Sequence, residues 1–329
     1  MSIRSMINKK FMGSLLIVTL LVALASCGKE KPDPWKLPPP GLLERGEPKH
    51  LRYTYYPPLA HRVVTFHYFI PATGDITTMP ILFAMHGAER NGAAQITNWR
   101  NIANQRQIMV FAPQFASELY PSNDYQFAGV SYSGTGWIPK NREDWTISII
   151  EHMFDFIKHQ TGNTATQYDI WGHSAGGQFT HRLVFFLSTQ GRMRMAVASN
   201  PSAWIMPTTE GYGEENFGFP YSLRRTPYTM DDIAIWFSKD MVVHIGTNDT
   251  ATSREVDASL SMTPGAVAQG PSRYDRAHFF FNFSKDVAEK AGLPFNWRLV
   301  EVPNTGHSSS GMITRATVGA ADLLYNDRR

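Results

Sequence analysis

Cysteine is all but missing. Of 329 residues only Cys27 carries a thiol, which excludes an internal disulfide and any site assembled from several cysteines. Long hydrophobic runs are equally scarce. The one present, FMGSLLIVTLLVALAS at 11–26, is too short and too near the end for a transmembrane helix. Basic runs are absent too. The formal charge of +3 comes from the first 26 residues, which hold Arg4, Lys9 and Lys10 and no acid; beyond them 28 basic residues meet 28 acidic ones. A chain this close to neutrality has no electrostatic footprint for nucleic acid. There is no His-Glu-x-x-His, the 11 histidines are scattered, no GxxxxGK occurs, and GYGEENFG (211–218) lacks the spacing and context of a dinucleotide loop. Neither metal nor cofactor is expected, and no internal repeat is visible.

What is present begins with a targeting pattern. MSIRSMINKK is a basic n-region before the apolar stretch, which stops at Leu24-Ala25-Ser26-Cys27. This resembles the lipobox of bacterial lipoproteins, in which the cysteine is acylated. Residues 1–26 are therefore expected to be a lipoprotein signal peptide, Cys27 the lipidation site, and the mature chain lipid-anchored in the cell envelope on the extracytoplasmic side. Five prolines between Pro32 and Pro40 favour an extended spacer, so 27–50 is expected to be a tether and 51–329 one folded domain.

Within that domain, short apolar runs rich in β-branched or aromatic residues recur at 62–70, 80–85, 108–113, 168–172, 195–199, 241–246 and 297–302. Near-continuous apolarity suits strands buried on both faces of a mostly parallel sheet. Helical spacing intervenes at about 93–106, 142–161, 175–189, 277–292 and 312–325. The alternation predicts an α/β fold with helices on both sheet faces and binding chemistry at the strands' carboxyl ends.

Residues 169–182 read DIWGHSAGGQFTHR. A strand, a sharp Gly172-His173-Ser174-Ala175-Gly176 turn and a helix in succession form a nucleophile elbow, which exposes a serine hydroxyl above the sheet. Such a serine needs a base, and the base an orienting acid. MVVHIGTNDT offers Asp249 beyond one strand and VEVPNTGH offers His307 beyond the next, in the chain order serine, acid, histidine that this geometry requires. An oxyanion site follows from PILFAMHGAERNG, which sets His86-Gly87-Ala88 at a strand end; the backbone amides of Ala88 and Ala175 are the expected donors. The side chain of His86 is expected to shape the loop.

With HGAERNG, GHSAGGQF and the late QGPSRYDRAHFFF before FNWRLVEVPNTGH in hand, the chain over about 60–329 resembles the α/β-hydrolase superfamily. Within it, the resemblance is to the group of polyhydroxybutyrate depolymerases, feruloyl esterases and acetyl xylan esterases. The resemblance implies an α/β-hydrolase fold and a serine esterase acting on small or polymeric esters. Other readings of the same residues are a peptidase using the same triad and a non-catalytic glycan-binding lipoprotein on a hydrolase scaffold. Aromatic residues crowd 202–239, and Trp137, Trp204 and Tyr212 are expected to line the substrate pocket. Trp236 reads as part of an amphipathic helix. Arg273 and Arg276 read as exposed helix-start residues paired with Asp275, or as anchors for a substrate carboxylate.

Overall fold

The continuous apolar runs have a simple cause: each strand feeds two cores. The computed structural model describes residues 35–326, so the expected signal peptide and Cys27 lie outside the described residues. The strands are β1 (Lys49–Tyr53), β2 (Val64–Phe69), β3 (Ile81–Met85), β4 (Met109–Gln114), β5 (Tyr168–His173), β6 (Met193–Ser199), β7 (Met241–Gly246) and β8 (Arg298–Val302). They form one sheet in the order β1-β2-β4-β3-β5-β6-β7-β8. The β1–β2 and β2–β4 pairs are antiparallel, and every pair from β4 through β8 is parallel.

The helices are α1 (Gly92–Arg106), α2 (Ser148–Thr161), α3 (Ala175–Phe186), α4 (Met230–Phe237), α5 (Pro264–Val267), α6 (Arg273–Ala291), α7 (Ser309–Thr314) and α8 (Ala320–Tyr325). Alternate strand residues serve opposite faces. Ile81, Phe83 and Met85 join one buried cluster with residues of α2, α3, α4 and α6. Leu82 and Ala84 join the other, with Trp99 of α1, Ile313 of α7 and Leu324 of α8.

Three boundaries depart from the sequence reading. Residues 35–50, expected as free tether, are held to the domain: Gln160 Nε2 donates to the carbonyls of Pro38 and Pro39 at 3.0 Å each. Arg45 donates to the carbonyls of Pro71, Thr73 and Gly74, and the chain then enters the sheet as β1. The folded unit therefore starts before residue 51, because Gln160 binds the carbonyls of the proline stretch and Arg45 binds carbonyls of the domain. The helix expected over 142–161 begins only at Ser148, after a short 3-10 turn at Arg142–Asp144. The one expected over 312–325 breaks in two. Thr317 takes a left-handed φ of 66°, and a Cβ at Gly319 would collide with backbone oxygens of Ile313 and Arg315.

Candidate active site

Strand β5 ends at His173, and the next residue, Ser174, takes φ 57° and ψ −116° before α3 starts. A non-glycine residue in such a region stores about 1–3 kcal/mol of strain. Two glycines let the turn close. A Cβ at Gly172 would strike Gly176 and Thr180, and one at Gly176 would strike the carbonyls of Met85 and His86, so β3, β5 and α3 meet backbone to backbone. The Ser174 amide donates to Ser199 O of β6 at 2.9 Å. Ala175 is the first residue of α3, where a helical amide has no intrahelical partner.

The loop after β3 lies against this elbow, 3.7 Å separating a Cβ built on Gly87 from that of Ser174. His86 sets its shape. The Phe115 amide donates to His86 Nε2 at 3.0 Å, which leaves Nδ1 protonated and donating to Gly87 O at 2.9 Å. That carbonyl also accepts from the Arg90 amide. In a trans peptide N–H and C=O point opposite ways, so anchoring Gly87 O turns the Ala88 amide away from His86. Ala88 N donates to no acceptor among the described residues. Burial, first of all, keeps His86 neutral by pulling it down to about 3.

Asp249 follows β7 and His307 follows β8. Their loops are tied together, the Asn248 amide donating to Thr305 O at 2.9 Å and the Asn304 amide to Thr247 Oγ1 at 2.9 Å. His307 Nδ1 lies 2.8 Å from Asp249 Oδ2. An ionised carboxylate there fixes the proton on Nδ1 and leaves Nε2 as the acceptor. The His173 ring, one residue from Ser174, packs on the His307 ring with centroids 4.6 Å apart. Burial, then the neighbouring His307, drives His173 far below its usual range, so it stays neutral and adds no positive charge beside the imidazole. The structure thus brings Ser174, Asp249, His307, Ala88 and Ala175 to one edge of the sheet.

One residue behind this group has a different setting from the one the sequence suggests. Arg273 is buried, not exposed, and Asp275 is not its partner: Asp275 caps α6 with Ser272. Arg273 Nη1 bonds Asp249 Oδ1 at 3.1 Å and Asp257 Oδ2 at 2.6 Å, and its Nη2 donates to Ser259 Oγ at 2.8 Å. Each oxygen of Asp249 therefore has one partner, imidazole on one side and guanidinium on the other. For Asp257, burial alone would raise the carboxyl, but the hydrogen bonds from Arg273 and Ser259 outweigh it and hold it below the ordinary carboxylate range. Asp249, Asp257 and His307 present atoms within 4.8 Å of one another, as metal ligands do, but the guanidinium already supplies the cation that joins the two carboxylates.

A cleft of about 620 Å³ lies one turn of α3 away from the elbow, and its lining includes neither Ser174 nor His307. Gln178, one turn along α3 from Ser174, lines it, together with Ser202, Phe217, Phe219 and Tyr221. The three expected wall residues are elsewhere. Trp204 is buried and stacks on Phe280 at 4.4 Å. Tyr212 donates to Gly265 O and accepts from Gln269 Nε2 at 3.0 Å, and the same amide nitrogen of Gln269 donates to Trp204 O. Trp137 is half-buried against Phe186, Phe219 and Tyr228, so it backs a wall residue instead of lining the cleft. Trp236 lies in the core on α4, as expected.

Compared with protein-family models, the chain matches none, and no curated protein matches it. Solved structures do. The chain is similar to poly(aspartic acid) hydrolase-1 from Sphingomonas sp. KT-1, 31% identical with a TM-score of 0.74 over 82% of this chain and 96% of that one. It is similar to the poly(3-hydroxybutyrate) depolymerase LpqC from Bordetella parapertussis, 28% identical with a TM-score of 0.74 over 87% and 92%. The siderophore hydrolase EstA from Aspergillus nidulans, 12% identical with a TM-score of 0.51 over 86% and 95%, shares the fold. Together with the elbow, the sheet order and the site, the likeness to the hydrolase at 31% identity settles the class: the chain belongs to the α/β-hydrolase superfamily. It is an enzyme, a serine hydrolase.

Proposed function

We propose that the protein is an extracytoplasmic, lipid-anchored esterase that cleaves carboxylic esters of the polyester or acylated-glycan type through Ser174, His307 and Asp249. The observation that carries this reading is the strained Ser174 turn beside a histidine whose Nδ1 is held 2.8 Å from Asp249. Ser174 Oγ attacks the ester carbonyl carbon while its proton passes to His307 Nε2. The oxyanion that forms accepts from the amides of Ala88 and Ala175. The C–O bond to the alcohol breaks, the alcohol takes the proton from His307, and an acyl-serine remains. Water, deprotonated by His307, resolves it to a carboxylic acid and free Ser174. Asp249 stabilises the imidazolium in both steps. A neutral His173 beside that ring keeps a second positive charge from opposing it.

Polymeric substrates are suggested by the two similar hydrolases, whose names specify poly(aspartic acid) and poly(3-hydroxybutyrate), and by a cleft large enough for more than one monomer. The expected test is covalent labelling: a fluorophosphonate should modify Ser174, and Ser174→Ala should abolish both labelling and ester turnover while the melting temperature holds. A variant that still turned over esters would remove Ser174 from its role. The lipid anchor rests on the sequence at Cys27. Cys27→Ser should move the protein from the membrane fraction to the soluble fraction, since stable anchoring needs more than one acyl chain. A wild-type protein found unlipidated and soluble would end that part of the proposal.

A further inference from the structure

Two buried arginines flank the cleft, and among the described residues neither hydrogen-bonds a carboxylate, although the neighbouring Asp275 favours the charge on Arg276. Arg182, on α3, donates to the carbonyls of Gln126 and Gln178 at 3.2 Å each and of Pro220 at 3.0 Å, and its guanidinium sits 5.1 Å from the centroid of the Phe127 ring. All four of those partners line the cleft. Arg276, on α6, donates to Ser202 O at 2.6 Å and Ser261 O at 2.9 Å, two more lining residues, and to Gly270 O and Pro271 O. Both side chains are wholly buried, and Arg182 Nε has no hydrogen-bond partner among the described residues. Burial lowers Arg182 to about 9 and Arg276 to about 10, so both remain charged at neutral pH. A third, Arg254, lines the cleft from the exposed side, its Nε bonded to Leu260 O at 3.2 Å.

Tying backbone carbonyls explains the hydrogen bonds but not the charge, since a neutral amide side chain could donate as well. An ionised group taken from water without a counter-charge is costly, and its field is focused into the nearest solvent-filled cleft by the low-dielectric walls. Arg273 does not add to that field, because the charges of Asp249 and Asp257 together outweigh its own. The acid in the lining is Glu215, which is as exposed and as screened as Arg254, so the two rim charges largely offset.

Resting on the esterase reading above, we infer that the cleft takes esters whose acyl chain carries a carboxylate away from the scissile bond, with the guanidinium groups of Arg182 and Arg276 behind its wall supplying the counter-charge.

The test compares monomethyl adipate with methyl hexanoate, which differ at the far end by a carboxylate in place of a methyl group, using the full chain and acid release at constant pH. At low ionic strength kcat/KM should favour monomethyl adipate by roughly tenfold, and the preference should shrink as KCl is added and in Arg254→Gln. A ratio of one or below overturns the proposal. So does a preference that neither KCl nor Arg254→Gln reduces, because it then reflects shape and not charge. A second arm does not depend on turnover: calorimetry on Ser174→Ala should find adipate bound more tightly than adipamide. If neither ester is cleaved yet adipate still binds better, the esterase reading falls and the anion-binding cleft stands. Equal binding of the two overturns the cleft assignment whatever the turnover.

Discussion

Arg273, at the start of α6, and Arg182, in the body of α3, are both completely buried, but the regions around them are built on opposite terms. Behind the β7 and β8 loops, Arg273 meets two carboxylates and a hydroxyl, so its charge is more than matched within the group. Behind the cleft, Arg182 meets only carbonyl oxygens. The first arrangement fixes geometry: it holds Asp249 still so that one oxygen is left for the imidazole. The second leaves charge over, one layer behind the residues that line the cleft. A buried guanidinium is thus a brace or a source of field depending on whether a carboxylate is within reach.

The largest expected effect probes the first region. Asp249→Asn should lower kcat by about four orders of magnitude, because it spoils the tautomer of His307 and the stabilisation of imidazolium. The same change at Asp257, which touches Arg273 and not the imidazole, should cost far less. Steady-state kinetics on purified variants decide it, and equal losses at the two sites would mean that both carboxylates serve the base directly.

Stability sharpens the contrast next. Arg273→Met strands two carboxylates, one of them buried, and should cost about 3–5 kcal/mol in urea unfolding. Arg182→Met removes an unpaired buried charge together with its bonds to three carbonyls, and the relief should offset much of the loss, leaving about 1–3 kcal/mol. Should Arg182→Met prove the more damaging, the carbonyl bonds outweigh the charge and the cleft's field is incidental.

The smallest effect concerns a third way of treating a buried base, which is to keep it uncharged. Burial draws His86 from 6.5 to about 3 and His244 to about 4. Their folded values lie below the unfolded one, so the unfolded chain binds the extra protons. The stability they contribute is present above pH 6.5 and is lost as pH falls toward 4 and below. The melting temperature should fall across that window. In His244→Gln, which keeps a side-chain donor for Val318 O, the fall should be shallower, as scanning calorimetry at several pH values would register. An unchanged slope would show that His244 does not contribute to it.

Much of this was legible before any coordinates. Strand positions followed from apolar runs because each strand must satisfy two cores, and the order Ser174, Asp249, His307 followed from where those strands end. Arg273 was not legible, because SRYD reads as an exposed capped helix start. The capping of Ser272 by Asp275 is real, but the same turn is buried under the β7 loop, a long-range fact that no local pattern carries. Trp204 and Tyr212 misled for a related reason: composition marks a segment as aromatic, whereas the direction each ring takes depends on partners such as Phe280 and Gln269, distant in sequence. Strand β1 was missed because its KHLRY alternates too weakly to separate from the proline-rich stretch before it.

The backbone at Ser174 has a consequence for how such a chain could change over generations. At φ 57° and ψ −116° glycine would sit with less strain than serine, and the relief of about 1–3 kcal/mol exceeds the roughly 0.5–1 kcal/mol of extra unfolded-chain freedom that glycine brings. A lineage released from the need to cleave its substrate would gain stability by replacing the nucleophile. Only continued selection for turnover would keep serine at that turn, and a glycine found there in a descendant would mark a protein that had kept the fold and given up the chemistry.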